Sequence, residues 1–445
     1  MLPVRRRRIR ASAIGAVAAL SLGLSGCAVG EVGGETGGGE EQGQTEITYL
    51  FGDAGGTAVA YGEALTKKFN EMNPDIKVTF ETQPTGTEGD NLVKTKLATG
   101  EMADVFAYNS GSLFQAINPD QNLVPLTDEA WAADLSEEFK PVVSTDQGLY
   151  GAPNGTTQAG GVIYNKKVYA ELGLQVPTTW AEFKANNDKI KAAGKVAPIQ
   201  QTYGETWTSQ LFVLGDFANV AAQDPQWSTE YTAGKRKYAD EPALQSFKNQ
   251  QDAFDSGYFN KNFASARYDD GIKAIATGTA AHYPMLSSAV SAINQNFKDN
   301  ISDVGFFALP AQSADNTRLT IWLPNAVYIP KTTEGAKLEA AKKFVAFFNS
   351  PEGCEIQNSV NTVTGPYVSA CELPADVPDL VKDVQKYLDD GKASPALEFL
   401  SPIKGPNLEK LTVEVGSGIK SAEEGAKLYD EDVKKQAQQL GLPGW

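Results

Sequence analysis

From residue 46 onward the chain alternates between short apolar runs and longer stripes at helical spacing. Ile47-Thr48-Tyr49-Leu50-Phe51 reads as a strand, and Gly52-Asp53-Ala54-Gly55-Gly56-Thr57 as the tight loop after it. Ala58, Tyr61, Leu65, Phe69 and Met72 then recur at the three- and four-residue steps that put side chains on one helix face, and Pro74 stops that helix. Ile76, Val78 and Phe80 alternate as a second strand, a helix runs through Val93 and Leu97 to Gly100, and 104–108 is a third strand. This β-α-β-α-β order predicts a mostly parallel sheet flanked by helices.

The same texture returns downstream. Gly161-Val162-Ile163-Tyr164-Asn165, Val304-Gly305-Phe306-Phe307-Ala308 and Ala326-Val327-Tyr328-Ile329 are strand-like. Helices are expected from Thr178-Thr179-Trp180 to Ala193, through Leu338, Ala341, Val345 and Phe348 to Ser350-Pro351, and along the terminal stripe Ala422, Ala426, Tyr429, Val433, Ala437, Leu440. No internal repeat interrupts this order. By contrast, 28–45 is rich in Gly and Glu and nearly free of apolar residues, so it buries too little surface to fold. It reads as a tether with a reach of roughly 20–25 Å.

Ahead of the tether lie Arg5-Arg6-Arg7-Arg8 and Arg10, an apolar run over 11–24, and Ser25-Gly26-Cys27. A basic head, a short apolar middle and small residues before a cut site make a secretory signal, and the run falls short of the roughly 20 residues a membrane span needs. Leu24-Ser25-Gly26-Cys27 resembles the lipobox of bacterial lipoproteins, which implies cleavage before Cys27 and a lipid on its sulfur. Stable anchoring takes more than one acyl chain, which a diacylglyceryl group supplies. The body is therefore expected outside the cell, held at the outer face of the membrane by lipid alone.

Composition narrows the classes that remain. The net charge is -16 over 445 residues; residues 1–26 hold five arginines and no acid, so their removal takes it to -21. So acidic a surface argues against nucleic acid, whose phosphates need Lys and Arg, and against docking on anionic lipid by charge. With Cys27 assigned to lipid, Cys354 and Cys371 are left as one pair in an oxidising compartment, a disulfide or two buried free thiols. His282 is the only histidine and no Cys-x-x-Cys occurs, so a zinc site is not expected, and no Gly-x-Ser-x-Gly elbow or His-Glu-x-x-His motif points to a hydrolase. No cofactor is implied. About 400 ordered residues are too many for one core and enough for two lobes.

Several stretches, taken in order, resemble the sugar-type extracellular solute-binding proteins of bacterial ABC importers. They are Thr99-Gly100-Glu101-Met102-Ala103-Asp104-Val105, Asn122-Leu123-Val124-Pro125-Leu126 and Gly148-Leu149-Tyr150-Gly151-Ala152-Pro153. Tyr164-Asn165-Lys166 with Leu172-Gly173-Leu174 and Pro177-Thr178-Thr179-Trp180 is the most specific; Ala340-Ala341-Lys342-Lys343-Phe344 leads to the helix ending near Ser350-Pro351-Glu352-Gly353. Gly278-Thr279-Ala280-Ala281-His282 departs from the family's pattern before its second hinge. The resemblance spans 46–445. It implies a periplasmic-binding-protein-like α/β fold, two α/β lobes joined by hinge strands around a ligand cleft. It also implies a monomer that delivers sugar, expected to be an oligosaccharide, to a permease. Three crossings are placed near 153–160, 281–284 and 320–325. They divide the chain into a signal peptide (1–26), a lipidated tether (27–45), lobe 1 (46–153 plus 282–322) and lobe 2 (154–281 plus 323–445).

A sugar presents C–H faces that suit an aromatic plate and hydroxyls that suit fixed donors and acceptors. Asp53, past the first strand, can accept two hydroxyl bonds or cap the helix that follows. Tyr108, Asn109 and Ser110 end the third strand in the analogous position, with Ser112 free to cap the next helix. Trp207 in Tyr203-Gly204-Glu205-Thr206-Trp207 is a stacking plate or a cover for the core edge. Tyr283, Trp322 and Asn325 fall at crossings and are expected to line the cleft, whereas Trp180 and His282 read as structural. No catalytic or metal-ligating residue is assigned. The same fold around a quaternary ammonium osmolyte or a polyamine is the alternative, since cation–π attraction uses the same aromatics. An anchored glycosidase would need two carboxylates about 5–9.5 Å apart, which an acid-rich chain leaves open.

Overall fold

The computed structural model describes residues 44–53, 57–84, 86–360 and 362–445. Residues 1–26 and Cys27, read above as a signal peptide and lipid site, most of the stretch 28–45 read as a tether, and the side chain of Asp53 lie outside the described residues.

Two separate sheets organise the body. The first runs in the order Ile76–Pro84, Thr45–Asp53, Val105–Tyr108, Asn325–Tyr328, Ala152–Asn154. Its first three strands are parallel, as the β-α-β-α-β order predicts, and Asn325–Tyr328 inserts antiparallel to Val105–Tyr108. The second runs Ala393–Pro395, Leu319–Trp322, Gln158–Asn165, Ala280–Leu286, Ala197–Ile199, with Val304–Phe307 also paired to Gln158–Asn165. Around Gln158–Asn165 its pairing is antiparallel, because its neighbours on both sides run against it.

The helices cover these sheets with the faces the sequence marks. Leu65 and Phe69 of Thr57–Met72 are buried, and Phe69 meets Phe344 of helix Gly335–Phe347 edge-on at 4.9 Å. Tyr49 of the first strand completes that cluster, 5.2 Å from Phe344. In the other lobe helix Trp180–Ala193 opens with a capping box, Thr179 and Glu182 each satisfying the other's backbone N–H, and buries Phe183 and Ile190. A third cluster joins Trp227, Tyr231 and Tyr238 to the C-terminal helix Ala422–Gln439. The last residue belongs to it: Trp445 donates its indole N–H to the carbonyl of Thr232 at 2.9 Å and meets Tyr231 edge-on.

The strand memberships revise the expected lobe boundaries. Strands Ala280–Leu286, Val304–Phe307 and Leu319–Trp322 lie in the second sheet, not in lobe 1, and Asn325–Tyr328 lies in the first sheet, not in lobe 2. No crossing occurs at 281–284. Ala281, His282 and Tyr283 are fully buried in a strand flanked on both sides, so the chain there is deep inside the second lobe. The chain passes between the two sheets at 154–158 and at 322–325. It crosses again after helix Pro351–Val360, which packs on Thr57–Met72, and before helix Asp379–Asp389, whose Asp383 accepts from the Phe306 N–H. The approach to the third crossing runs beside the first. Thr157 N–H donates to the Pro366 carbonyl at 2.8 Å, and Thr364 Oγ1 donates to the Thr157 carbonyl at 2.9 Å. Cys354 and Cys371 bracket the 362–366 stretch that lies along the first crossing and form a disulfide, Cα to Cα 5.6 Å. Val368 and Glu372 still bond to the first lobe, so the passage to the second lobe follows Cys371.

Candidate functional site

A cleft of about 920 Å³ lies between the two sheets, floored by the crossings. Asn109, just past strand Val105–Tyr108, and Asn325 reach it from the first sheet, Gln158 from the second, Gln210 from the short helical turn Thr206–Gln210, and Trp322 from the strand end entering a crossing. Asn109 and Trp322 lie at the carboxyl ends of their strands, where open α/β sheets gather ligands, while Gln158 and Asn325 open strands that run antiparallel to those and so reach the same edge. Asn109, Gln158, Gln210 and Asn325 make no side-chain hydrogen bond to another described residue, so four amides from both sides are open to a guest. Trp322 is half-buried. Its indole is seated against bare backbone, since a Cβ added to Gly160 would fall 2.3 Å from a ring carbon.

The far wall comes from the segment 398–409 of the second lobe. Gly111 of the first lobe touches it: a Cβ there would lie 2.8 Å from both the Glu398 carbonyl oxygen and a ring carbon of Phe399. With φ at +69° as well, position 111 admits glycine on two counts. The two lobes thus meet across the mouth as well as along the floor.

Some charges in the cleft are matched: Lys404 sits 3.3 Å from Glu398. Glu409 accepts a hydroxyl hydrogen bond from Thr206 at 2.8 Å and has no ion-pair partner among the described residues. Burial raises the Asp90 carboxyl above the ordinary value, while the Tyr108 hydroxyl and the Lys94 ammonium beside it pull it back.

Of the residues expected from the sequence, Asn109, Ser110, Trp322 and Asn325 line the cleft. Ser110 is buried and donates its hydroxyl to the Pro324 carbonyl at 2.8 Å, tying the third strand's end to the second crossing. Three others stand elsewhere. Tyr283 is fully buried and shares a 2.8 Å hydrogen bond with Thr202, because its strand is central. Tyr108 is buried behind the wall, next to Asp90, on the core side of its strand. Trp207 packs on Tyr268 at 5.6 Å, away from the cleft. Sequence reasoning missed Tyr61, Asp90, Gln210, Gln357 and Phe399, all of which line it. Tyr61 was legible only as part of a helical stripe, and the others lie on helices or loops whose facing partners are far away in sequence.

His282, the single histidine, is wholly buried. Tyr169 Oη lies 2.7 Å from its Nε2, and Asn187 Oδ1 and the Pro198 carbonyl lie 3.0 Å from its Nδ1. Burial lowers its pKa to about 3. The unfolded chain takes up a proton near pH 6.5 that the fold refuses, so this residue's contribution is complete above that pH and is lost progressively toward pH 3. The expected result is a urea midpoint that falls between pH 6.5 and 4, with a shallower fall in His282→Gln. Parallel curves for the two proteins would contradict it.

Against known proteins, the model of the bacterial extracellular solute-binding protein family matches residues 53–353. The chain belongs to that family. This solute-binding protein is 28% identical over 295 residues to the multiple sugar-binding protein of Streptococcus mutans, covering 64% of this chain and 67% of the relative. It is 22% identical over 361 residues to the melibiose/raffinose/stachyose-binding protein of Bacillus subtilis, 76% of each chain. Among solved structures, a chitin oligosaccharide binding protein superposes with a TM-score of 0.74 at 23% identity, over 89% of this chain and 99% of its own. A raffinose complex of the solute-binding protein RafE gives 0.72 at 21%, over 88% and 100%. The fold is therefore that of two-lobed periplasmic binding proteins, the family is one of binding proteins, and its members work outside the cytoplasm.

Proposed function

We propose that this protein captures a neutral oligosaccharide outside the cell and hands it unaltered to the membrane permease of an ABC importer. The observation that carries the reading is the cleft's lining: one indole with four unpartnered amides drawn from both lobes. Amides donate and accept, as sugar hydroxyls do, and the indole suits a sugar's C–H face. The pairing of Glu398 with Lys404, and the Lys94 charge beside Asp90, support a neutral guest over a polyamine. The relatives named for multiple sugars and for melibiose, raffinose and stachyose support the same class. Trp322, Asn109, Asn325 and Gln158 are assigned to the ligand, and Ser110 to the hinge. Closure excludes water and strengthens each hydrogen bond, and the closed form docks on the permease. The protein acts as a monomer without cofactor, tethered through lipid on Cys27, so Cys27→Ser is expected to release it from the membrane into the medium.

Calorimetry tests the ligand class. Titration with melibiose, raffinose, stachyose and a chitin oligosaccharide is expected to give one-to-one binding to at least one, with the sugar recovered intact by chromatography. Binding only to betaine or spermidine would transfer the site to the alternative class, and a cleaved sugar would make the protein a glycosidase.

A further inference from the structure

Tyr61 and Gln357 form a buried polar pair at the cleft wall, on two helices of the first lobe that pack together. Tyr61 is 3% and Gln357 4% exposed. Gln357 Nε2 donates to Tyr61 Oη at 3.1 Å. The other amide atom, Gln357 Oε1, has no hydrogen-bond partner among the described residues. Tyr61 makes no second side-chain hydrogen bond among the described residues, so its own O–H proton is unspent. The pair therefore holds one free donor and one free acceptor side by side. Rotating the amide by half a turn exchanges the roles and again leaves one of each.

A buried acceptor without a partner is costly to the fold, whereas two apolar groups of the same shape would cost nothing of the kind. Helix Pro351–Val360 has Cys354 one turn before Gln357, in a disulfide that fixes this turn. The helix turn carrying Gln357 is thus pinned, while burial and the bond to Tyr61 hold the amide itself. Burial pushes the Tyr61 phenol well above its ordinary value, so it keeps its proton over the whole working pH range.

We propose that Tyr61 and Gln357 are a ligand subsite that clasps a single hydroxyl, the phenol donating to its oxygen and the amide accepting its proton. This rests on the sugar reading above and adds to it a position that grips one ring hydroxyl on the first-lobe side. A hydroxyl fits because it gives and takes at one atom. An ether oxygen lacks the proton, and an ammonium group lacks the lone pair.

The test is the double variant Tyr61→Phe/Gln357→Met, with Tyr61→Phe alone as the milder form and stachyose, raffinose and a chitin oligosaccharide as probes. Without sugar, the double variant is expected to melt at or above the temperature of the unaltered chain, because the stranded acceptor is gone. Its affinity for the saccharide that the unaltered chain binds is expected to fall by at least about tenfold, and that of Tyr61→Phe by a smaller factor. Affinity within about twofold of the unaltered chain overturns the subsite. A lower melting temperature without sugar also overturns it, since the pair would then serve the fold. Failure of the unaltered chain to bind any of the three probes instead overturns the sugar reading. The melting comparison then decides the pair by itself: a rise supports a subsite for another hydroxyl-bearing ligand, and a fall rejects it.

Discussion

Trp322→Ala is expected to weaken saccharide binding by at least about thirtyfold while the protein stays folded, because a tryptophan anchoring a desolvated contact is worth roughly 2 kcal/mol or more. The residue is half-buried at the end of strand Leu319–Trp322 and lines the cleft. Its truncation removes no core packing on the scale of Trp227, which is fully enclosed. Gly160→Ala provides an independent check through the other partner. Its new methyl would lie 2.3 Å from the ring, so the indole must shift, and affinity should fall without any change to Trp322 itself. Calorimetry for affinity and thermal melting for stability separate the two effects. Retained affinity in Trp322→Ala would take the indole out of the site. A collapse of stability would make it a structural residue.

Trp322 and Tyr283 show where sequence reading succeeds and where it stops. Each is an aromatic close to a proline in a short apolar run, and each reads as lining a crossing. Trp322 ends its strand and lines the cleft. Tyr283 sits mid-strand with neighbours on both sides, and its hydroxyl is satisfied by Thr202. Pairing decides between them, and pairing is long-range. The same limit misassigned the lobes. Val304–Phe307 and Asn325–Tyr328 are equally apolar and equally short, yet one pairs with Gln158–Asn165 and the other with Val105–Tyr108.

Local signals survived intact. The strand at 47–51, the helical stripe through Leu65 and Phe69, and the start of the helix at Trp180 all appear where spacing and capping place them. Gln357 was invisible for a different reason. Nothing in a helical stripe marks a glutamine whose partner, Tyr61, is 296 residues away.

Loss of the Cys354–Cys371 disulfide is expected to lower folding stability by about 3 kcal/mol, since the bond closes a loop of 17 residues and restricts the unfolded chain. The closed loop contains Thr362, Val363 and Thr364, which line the cleft, and Thr364 also pins the first crossing through Thr157. Opening the loop therefore touches the hinge as well as the unfolded state. A segment ordered in advance spares the ligand the cost of ordering it. The Cys354→Ala/Cys371→Ala variant should thus bind more weakly and release faster, with the association rate changed less. Urea titration with and without reductant measures the stability term. The midpoint of the unaltered chain should drop to that of the variant, which itself should ignore the reductant. If both thiols become alkylatable while the midpoint holds, the 362–366 stretch is fixed by packing and hydrogen bonds alone. The bond would then matter neither to the hinge nor to the placement of Gln357.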